Sequence, residues 1–225
     1  MHKLTISSEQ ADRLYWLGRY IERVYGTLRL FDRLLDDLID GKDDVYVTFC
    51  NRLSIPVVYT DRDHFESSYL FDENNPDSIY SNLSRAYDNA LVLRNCISTE
   101  SLGYIQMALD LLKLGKRSES AFLQMQQVMD WLLAYWGSLE ESLIAPDRRS
   151  LLKVGKYVER IDLAVRMPDG FETVSRTLPR LSNRLQSVSG DVYSQQLKAL
   201  ADLTNDPSRY EANRERILSL VNSLH

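Results

Sequence analysis

A glutamate and its neighbouring arginines occur twice in this chain at the same spacing, and these are the residues best suited to ionic or acid–base chemistry. Glu22 lies in the phrase Leu17–Arg23 and Glu159 lies in the phrase Val154–Arg160, with Gly, Tyr, Glu and Arg identical in the two copies. Each glutamate follows a glycine by four residues, so both lie on one row of a helix beside its apolar stripe. The sequence therefore predicts two related helices that face each other across a pseudo-two-fold axis, with carboxylates and cations near the middle.

Three roles remain open for this polar set. The first is a buried ion-pair network that fixes the register of the two helices. The second is a charged pocket in which arginines bind a small anionic or peptide ligand. The third is a catalytic site in which Glu22 or Glu159 has a raised pKa and acts as an acid or a base. Arg29 and Arg166, which follow the glutamates by seven residues, lie on the same helix row and extend the set.

Other kinds of reactive site have little support in the sequence. None of the three histidines, His2, His64 and His225, follows a glutamate by three residues on a core helix, as a ferritin-like di-metal site requires. Cys50 and Cys96 have neither a metal-binding spacing nor a histidine nearby in the sequence. There is no Gly-x-Ser-x-Gly elbow and no phosphate-binding glycine loop. We therefore expect no metal and no cofactor.

Charge and hydropathy restrict the partners and the compartment. A formal net charge of −5 argues against a general nucleic-acid binder, which needs an excess of Lys and Arg. The chain has no run of about 18 apolar residues that would span a membrane. The segment Met1–Glu9 lacks the apolar stretch of a signal peptide, and the two isolated thiols fit a reducing cytosol. We expect a cytoplasmic protein that binds neither nucleic acid nor membrane.

Helical periodicity dominates the elements that must position these residues. After Ser7 and Ser8, either of which can cap a helix, apolar residues recur at spacings of three and four as far as Gly41. This pattern predicts a first helix of about nine turns. The second phrase repeats the stripe 137 residues later, and Pro168 ends that helix.

Between the two repeated helices we predict four further helical segments. Val45–Leu53 suits a short helix or a strand, and its helical surroundings favour a helix. The residues Asn75-Pro76-Asp77-Ser78 predict a cap with proline at the first helical position. A new helix begins after Ser98, and another covers Phe122–Leu139.

The last part of the chain has a shorter apolar pattern. Three residues after Gly170 break it, namely Pro179, Gly190 and Pro207. We therefore predict two or three short helices within residues 168–225. Taken together, the sequence predicts an all-α, bundle-like single domain over residues 1–225 in which the two repeated helices pack together near the centre.

Four ordered motifs resemble the bacterial alpha-E domain family, a helical family with a conserved ER motif. Tyr15–Arg23 resembles its first ER signature, and Val154–Arg160 resembles its second. Asp72–Ile79 resembles its D-x-x-N-P-x-S-I segment, and Arg85–Glu100 resembles its R-x-x-x-N-A…R-x-x-I-S-x-E segment. The matches run from about residue 10 to residue 166, so the resemblance implies one alpha-E-like domain that accounts for most of the chain.

The chain departs from the family pattern at several positions. After the first ER phrase the family usually has a small residue, an acid and Asn, then Ala-Arg, whereas Val24–Arg29 keeps only the arginine. Leu91 lies where the family has Arg, and Leu102 lies where it usually has Trp. The chain is also shorter than usual, chiefly after residue 166. We expect a divergent copy that keeps the scaffold and loses part of the polar cluster.

The resemblance implies a partner more clearly than it implies a reaction. Alpha-E domains occur beside or fused to a circularly permuted ATP-grasp domain, often with a transglutaminase-like protein. ATP-grasp enzymes join carboxylates to amines through an acyl-phosphate, and this chain has no ATP-binding motif. We therefore expect a helical accessory protein that docks an amide or peptide ligase or its peptide substrate. The alternatives are an enzyme that uses Glu22 or Glu159 in amide or peptide modification, and a purely structural interaction module.

A second polar set lies on the helix that follows Ser78. Arg85 and Asn89 are one turn apart there, and periodicity alone favours a solvated face. The resemblance adds this set to the expected polar centre. That centre comprises Arg19, Glu22, Arg23, Arg29, Arg85, Asn89, Arg94, Glu100, Glu159, Arg160 and Arg166.

Overall fold

The computed structural model describes residues 6–39, 45–115, 121–142 and 145–225. Over these ranges the chain forms α-helices and no strand, which confirms the all-α prediction. No helix of the described ranges is long and apolar enough to cross a membrane. The helices are α1 (Ser8–Ile39), α2 (Val45–Leu53), α3 (Arg62–Phe71), α4 (Ile79–Val92), α5 (Thr99–Gly115), α6 (Ala121–Glu141), α7 (Pro146–Arg166), α8 (Phe171–Ser189), α9 (Ser194–Leu203), α10 (Pro207–Ala212) and α11 (Arg214–Asn222).

The chain divides into two compact units. Unit one contains Met1–Glu22 and Ala145–His225, and unit two contains Arg23–Ile144. The first half of α1 therefore belongs to unit one and its second half to unit two. Both repeated phrases lie in unit one, except for the residue that ends the first of them, Arg23. A single folding domain over residues 1–225 stays a prediction.

The two repeated helices form where the sequence predicts them. Ser7 caps the start of α1, since its Oγ accepts a hydrogen bond from the backbone N–H of Gln10 at 3.2 Å. The predicted stop at Gly41 lies outside the described residues. Helix α7 has Pro146 in its first turn and ends at Arg166, two residues before Pro168.

Unit one is built around α7. This helix packs against α8 and α11, and its apolar side packs into a core that includes the fully buried Val158, Ile161 and Leu181. Four helices follow Gly170 in this unit, so the prediction of two or three is wrong.

Pro179 lies inside α8, so the predicted break there is also wrong. Its ring lies on an exposed face of the helix, away from the core. The buried side chains of Leu178 and Leu181 on either side hold the helix against the core. Gly190, with a φ of 58°, ends α8 as predicted.

Unit two has an aromatic core. Phe31 of α1, Phe49 of α2 and two residues of α3, Phe65 and Tyr69, pack against one another, and the rings of Phe65 and Tyr69 stack at 5.3 Å. The predicted helix over Val45–Leu53 is confirmed. The consecutive residues Phe49 and Cys50 are both buried, whereas in a strand they would point to opposite faces. Helix α3 itself is absent from the sequence prediction.

The segment before α4 is a turn whose last residue caps the helix. Pro76 lies within this turn, so the prediction of proline at the first helical position is wrong. Asn75 Oδ1 accepts from the Asp77 N–H at 3.0 Å, and Ser78 Oγ accepts from the Ser81 N–H at 3.0 Å. Ser78 Oγ also donates to the Asp72 carbonyl at 2.7 Å, which ties both ends of the turn together.

We expect Ser78→Ala to lower the free energy of unfolding by about 1–2 kcal/mol, because the buried hydroxyl caps α4 and also bonds the Asp72 carbonyl. Urea unfolding followed by circular dichroism measures this loss. Ser67→Ala is the matched control, since its exposed hydroxyl bonds only carbonyls of its own helix. An equal loss in the two variants would contradict the capping role.

Candidate functional site

The ER helices cross at their two glycines. A Cβ on Gly18 would overlap the carbonyl oxygen of Leu152, and a Cβ on Gly155 would overlap the carbonyl oxygen of Tyr15. Leu152 lies 137 residues after Tyr15, the same offset that separates the two glycines, so the contacts are related by a pseudo-two-fold axis. Only glycine lets two helix backbones approach this closely. The repeated glycine is therefore explained by packing.

Two short ion pairs cross between these helices. Arg19 Nε of α1 donates to Glu159 Oε2 of α7 at 2.6 Å, and Arg160 Nε of α7 donates to Glu22 Oε1 of α1 at 2.6 Å. Glu22 and Glu159 are 2% and 1% exposed, so neither carboxylate depends on water for a partner. Charge-assisted bonds of this length are among the strongest in proteins. Each repeated glutamate is thus held by an arginine of the opposite copy.

Arg19 extends this network beyond the repeat. Its Nη1 lies 3.2 Å from Asn222 Oδ1 and 3.5 Å from Tyr15 Oη, and its Nη2 lies 3.9 Å from Asp162 Oδ2. Asn222 Nδ2 donates to the same Asp162 oxygen at 2.7 Å, while Arg166 Nε donates to Asp162 Oδ1 at 2.6 Å. The segment that includes α11 is therefore tied by hydrogen bonds to α1 and α7.

Glu22 is a buried carboxylate whose charge is only partly compensated by its neighbours. Burial raises its pKa above the ordinary value, and the positive charges of Arg160 and Lys156 offset this increase only in part. Its second oxygen, Oε2, is buried and accepts no hydrogen bond from any described residue. An unsatisfied buried acceptor of this kind costs about 1–3 kcal/mol.

Stability is expected to depend on pH through Glu22. Because its pKa is higher in the folded state, the folded protein holds a proton that the unfolded chain releases, and stability falls as pH rises from about 4.3 toward the folded-state pKa. Glu22→Gln removes this dependence. The free energy of unfolding of wild type minus that of Glu22→Gln should therefore decrease between pH 4 and pH 7 in urea titrations.

The control for this pH series is Glu9→Gln, which removes one negative charge from an exposed side chain of the same helix. We expect the difference in the free energy of unfolding from wild type to change with pH in Glu22→Gln and not in Glu9→Gln. A difference between wild type and Glu22→Gln that stays constant across the series would show that Glu22 titrates alike in the folded and unfolded states.

The structure brings together five of the eleven predicted polar residues in unit one. The other six belong to unit two. Arg23 is half-buried, and Arg29 is exposed with its guanidinium carbon 6.0 Å from the centre of the Tyr25 ring. The five that meet are Arg19, Glu22, Glu159, Arg160 and Arg166.

The remaining four residues lie on or near α4 and α5. Arg85 Nη1 donates to the Pro76 carbonyl at 2.8 Å, so this arginine supports the turn before α4. Asn89 is half-buried, and Arg94 is exposed just beyond the end of the helix. Glu100 is exposed and accepts a hydrogen bond from the hydroxyl of Tyr104, one turn further along α5, at 2.8 Å. A common site for all eleven residues stays a prediction.

Three members of the network are absent from the predicted set. Asp162 has a sequence signal, because it precedes Arg166 by four residues on the same helix and such pairs commonly bond. Tyr15 is 4% exposed and packs into the core, and its hydroxyl also contacts Arg19. Asn222 gives no signal, since it lies 203 residues from Arg19 in the sequence.

The described residues offer little support for metal or thiol chemistry. They contain no group of three or more His, Cys, Asp or Glu side chains that could hold a metal ion. Burial raises the pKa of the Cys50 thiol to about 11, so at neutral pH it is protonated and not an activated nucleophile. Cys50 and Cys96 are both free and buried.

Comparison with known proteins gives one match. A model of the Alpha-E family, described as a predicted alpha-helical domain with a conserved ER motif, matches residues 6–217. No curated protein and no solved structure matches this chain. The family match includes both ER phrases and ends within α11. Because it covers most of the 225 residues, the chain belongs to the Alpha-E family.

Proposed function

We propose that this chain is a helical accessory protein of an ATP-grasp-type amide or peptide ligase, and that it docks the ligase or its peptide substrate. The closure of the ER centre carries the proposal: Glu22 and Glu159 are at most 2% exposed, and each bonds an arginine of the opposite helix. A general acid or base must come within about 3 Å of the proton that it transfers. Carboxylates enclosed in this way are suited to holding α1 on α7, which leaves the outer surface for binding.

The family resemblance supplies the class of partner. A circularly permuted ATP-grasp protein is the expected ligase, with a transglutaminase-like protein as a possible third component. The chain has no phosphate-binding glycine loop of its own, so ATP binding belongs to the partner. We place the complex in the cytoplasm, where the free Cys50 and Cys96 stay reduced.

The distribution of charge favours an electrostatic docking surface in unit two. Residues 23–144 contain 19 acidic and 11 basic residues, a net charge of −8, while the rest of the chain has 13 acidic and 16 basic residues, a net charge of +3. A strongly negative unit attracts a basic surface and speeds association. We therefore assign the ligase contact to unit two.

Co-expression with the ATP-grasp protein of the same genome tests the proposal. We expect the two proteins to co-elute in size-exclusion chromatography, and the fraction in the complex to fall as ionic strength rises from about 0.05 M to about 0.5 M. Neutralising two exposed acidic residues of unit two, Asp110→Asn with Asp130→Asn, should weaken it further. Glu172→Gln, an exposed acid of unit one, is the matched control. The proposal fails if the folded wild-type chain forms no complex with the ligase at low salt.

Two observations favour a second candidate, an enzyme in which Glu22 acts as the acid or base. Its raised pKa and its unbonded Oε2 are typical of a general acid. This candidate predicts that the chain alone cleaves or forms amide bonds, and that Glu22→Gln abolishes the activity while circular dichroism is unchanged. The accessory role predicts that amide ligation requires the ligase and survives Glu22→Gln.

A further inference from the structure

An acidic and aromatic surface lies on α1 at its N-terminal end. Tyr15 and Trp16 follow Asp12 by three and four residues, so both lie next to Asp12 on the helix surface. The rings of Tyr15 and Trp16 meet edge to face at 5.6 Å. Asp12 is exposed and Trp16 is half-buried. One exposed carboxylate therefore lies on the same helix face as the half-buried ring of Trp16 and the buried ring of Tyr15.

This surface holds a side chain of the protein itself. The imidazole of His225 lies 4.6 Å from the Tyr15 ring centre and 5.7 Å from that of Trp16, and its Nε2 lies 2.8 Å from Asp12 Oδ1. The His225 side chain is 46% exposed and the Asp12 side chain 51% exposed. The preceding Leu224 is buried and anchors the segment to the core of unit one. The imidazole can therefore leave while Leu224 stays in place, and its departure uncovers the Tyr15 ring for another group.

The same rings also lie beside a cationic group, the guanidinium of Arg19. The guanidinium carbon of Arg19 lies 5.3 Å from the Trp16 ring centre and 5.9 Å from that of Tyr15. Cations are attracted to aromatic faces by the ring quadrupole, and a neighbouring carboxylate strengthens the attraction. Arg19 cannot move into the place of His225, because its own nitrogens bond Glu159 and Asn222.

We propose that Asp12, Tyr15 and Trp16 form a binding site for the cationic side chain of a lysine or arginine in a peptide. In the free protein His225 occupies this site, and the peptide side chain displaces it. The carboxylate of Asp12 pairs with the incoming charge, and the two rings cover its apolar stem. The inference is independent of the ligase partnership, because it rests on contacts within unit one alone.

Titration with argininamide tests the site, with the change in Trp16 fluorescence as the readout in a background that carries Trp131→Phe and Trp136→Phe. We expect His225→Ala to bind the probe about threefold or more tighter than the unsubstituted background, because the competing imidazole is gone. Asp12→Asn in the His225→Ala protein should reverse this gain. Ser223→Ala, a change in the same segment, should leave the affinity unaltered.

A second variant keeps the test decisive if removal of His225 disturbs the segment. His225→Lys fills the site with a permanent cation and should weaken argininamide binding below that of the background protein. Urea unfolding of each variant separates a change in binding from a loss of fold. The inference is overturned if folded His225→Ala binds argininamide no better than the background does, or if Asp12→Asn binds it equally well.

Discussion

Replacing Arg19 with alanine is expected to lower the free energy of unfolding by about 3–5 kcal/mol, because it removes the cation from a buried ion pair with Glu159. Arg19 is 6% exposed, and its guanidinium bonds Glu159 at 2.6 Å while it also lies within 3.9 Å of Asp162. Asp162 keeps Arg166 and Asn222 as partners, whereas Glu159 loses its 2.6 Å bond to α1. Most of the loss therefore comes from Glu159, which is 1% exposed and loses its short charge-assisted bond.

Arg13→Ala is the control for this experiment, since Arg13 pairs with an exposed glutamate, Glu9, on the same helix. A surface pair of this kind contributes about 0–1 kcal/mol. Arg19→Lys keeps the charge but not the fork of donors, and we expect a loss between those of the two alanine variants. Urea unfolding at neutral pH measures all three. Equal losses for Arg19→Ala and Arg13→Ala would mean that water reaches Glu159 and that the network is open.

Long apolar stripes made most of the fold predictable. Helices α1 and α7 each show apolar residues at spacings of three and four. Ser7 caps the start of α1 and Pro146 lies in the first turn of α7, so both starts follow from local sequence signals. The short α2 was also recovered, although its β-branched residues favour a strand locally. The absence of any other strand for it to pair with decided that prediction in favour of a helix.

The errors arise where tertiary packing outweighs a local signal. Pro179 normally breaks a helix, but the buried Leu178 and Leu181 keep α8 intact around it. Helix α3 has a local sequence signal, since Asp61 caps it and Phe65 and Tyr69 are one turn apart. With only ten residues, it depends on aromatic contacts from α1 and α2 that the sequence does not display.

The candidate site was predictable as a set of charges but not as a set of partners. The repeat identifies Glu22 and Glu159 as residues that need cations. It does not indicate that each glutamate takes its arginine from the other copy, nor that Asn222 joins the network. Those choices depend on how α1 and α7 cross and on a segment more than 200 residues distant in sequence. The raised pKa of Glu22 likewise follows from burial in three dimensions.

Substituting alanine for Gly155 is expected to lower the free energy of unfolding by about 3 kcal/mol or more, the upper end of the cost of overpacking. A Cβ at this position would overlap the carbonyl oxygen of Tyr15 and lie 3.0 Å from the backbone nitrogen of Arg19. Both are backbone atoms, so neither can rotate away as a side chain would. The helices must separate instead, and the separation lengthens both crossing ion pairs at once. Gly18→Ala meets Leu152 in the same way and should cost a similar amount.

Gly137→Ala separates this packing effect from the intrinsic helix preference of alanine. A Cβ on Gly137, inside α6, meets no atom within 4 Å, so alanine there should raise the free energy of unfolding by about 1 kcal/mol. Opposite signs for Gly137→Ala and Gly155→Ala in urea unfolding therefore identify close backbone contact as the reason for glycine in the ER phrase. If Gly155→Ala were also stabilising, the two helices would have to cross further apart, and the short Arg19–Glu159 and Arg160–Glu22 bonds could not both form. The same Gly155→Ala protein thus tests the backbone crossing and the ion-pair network together.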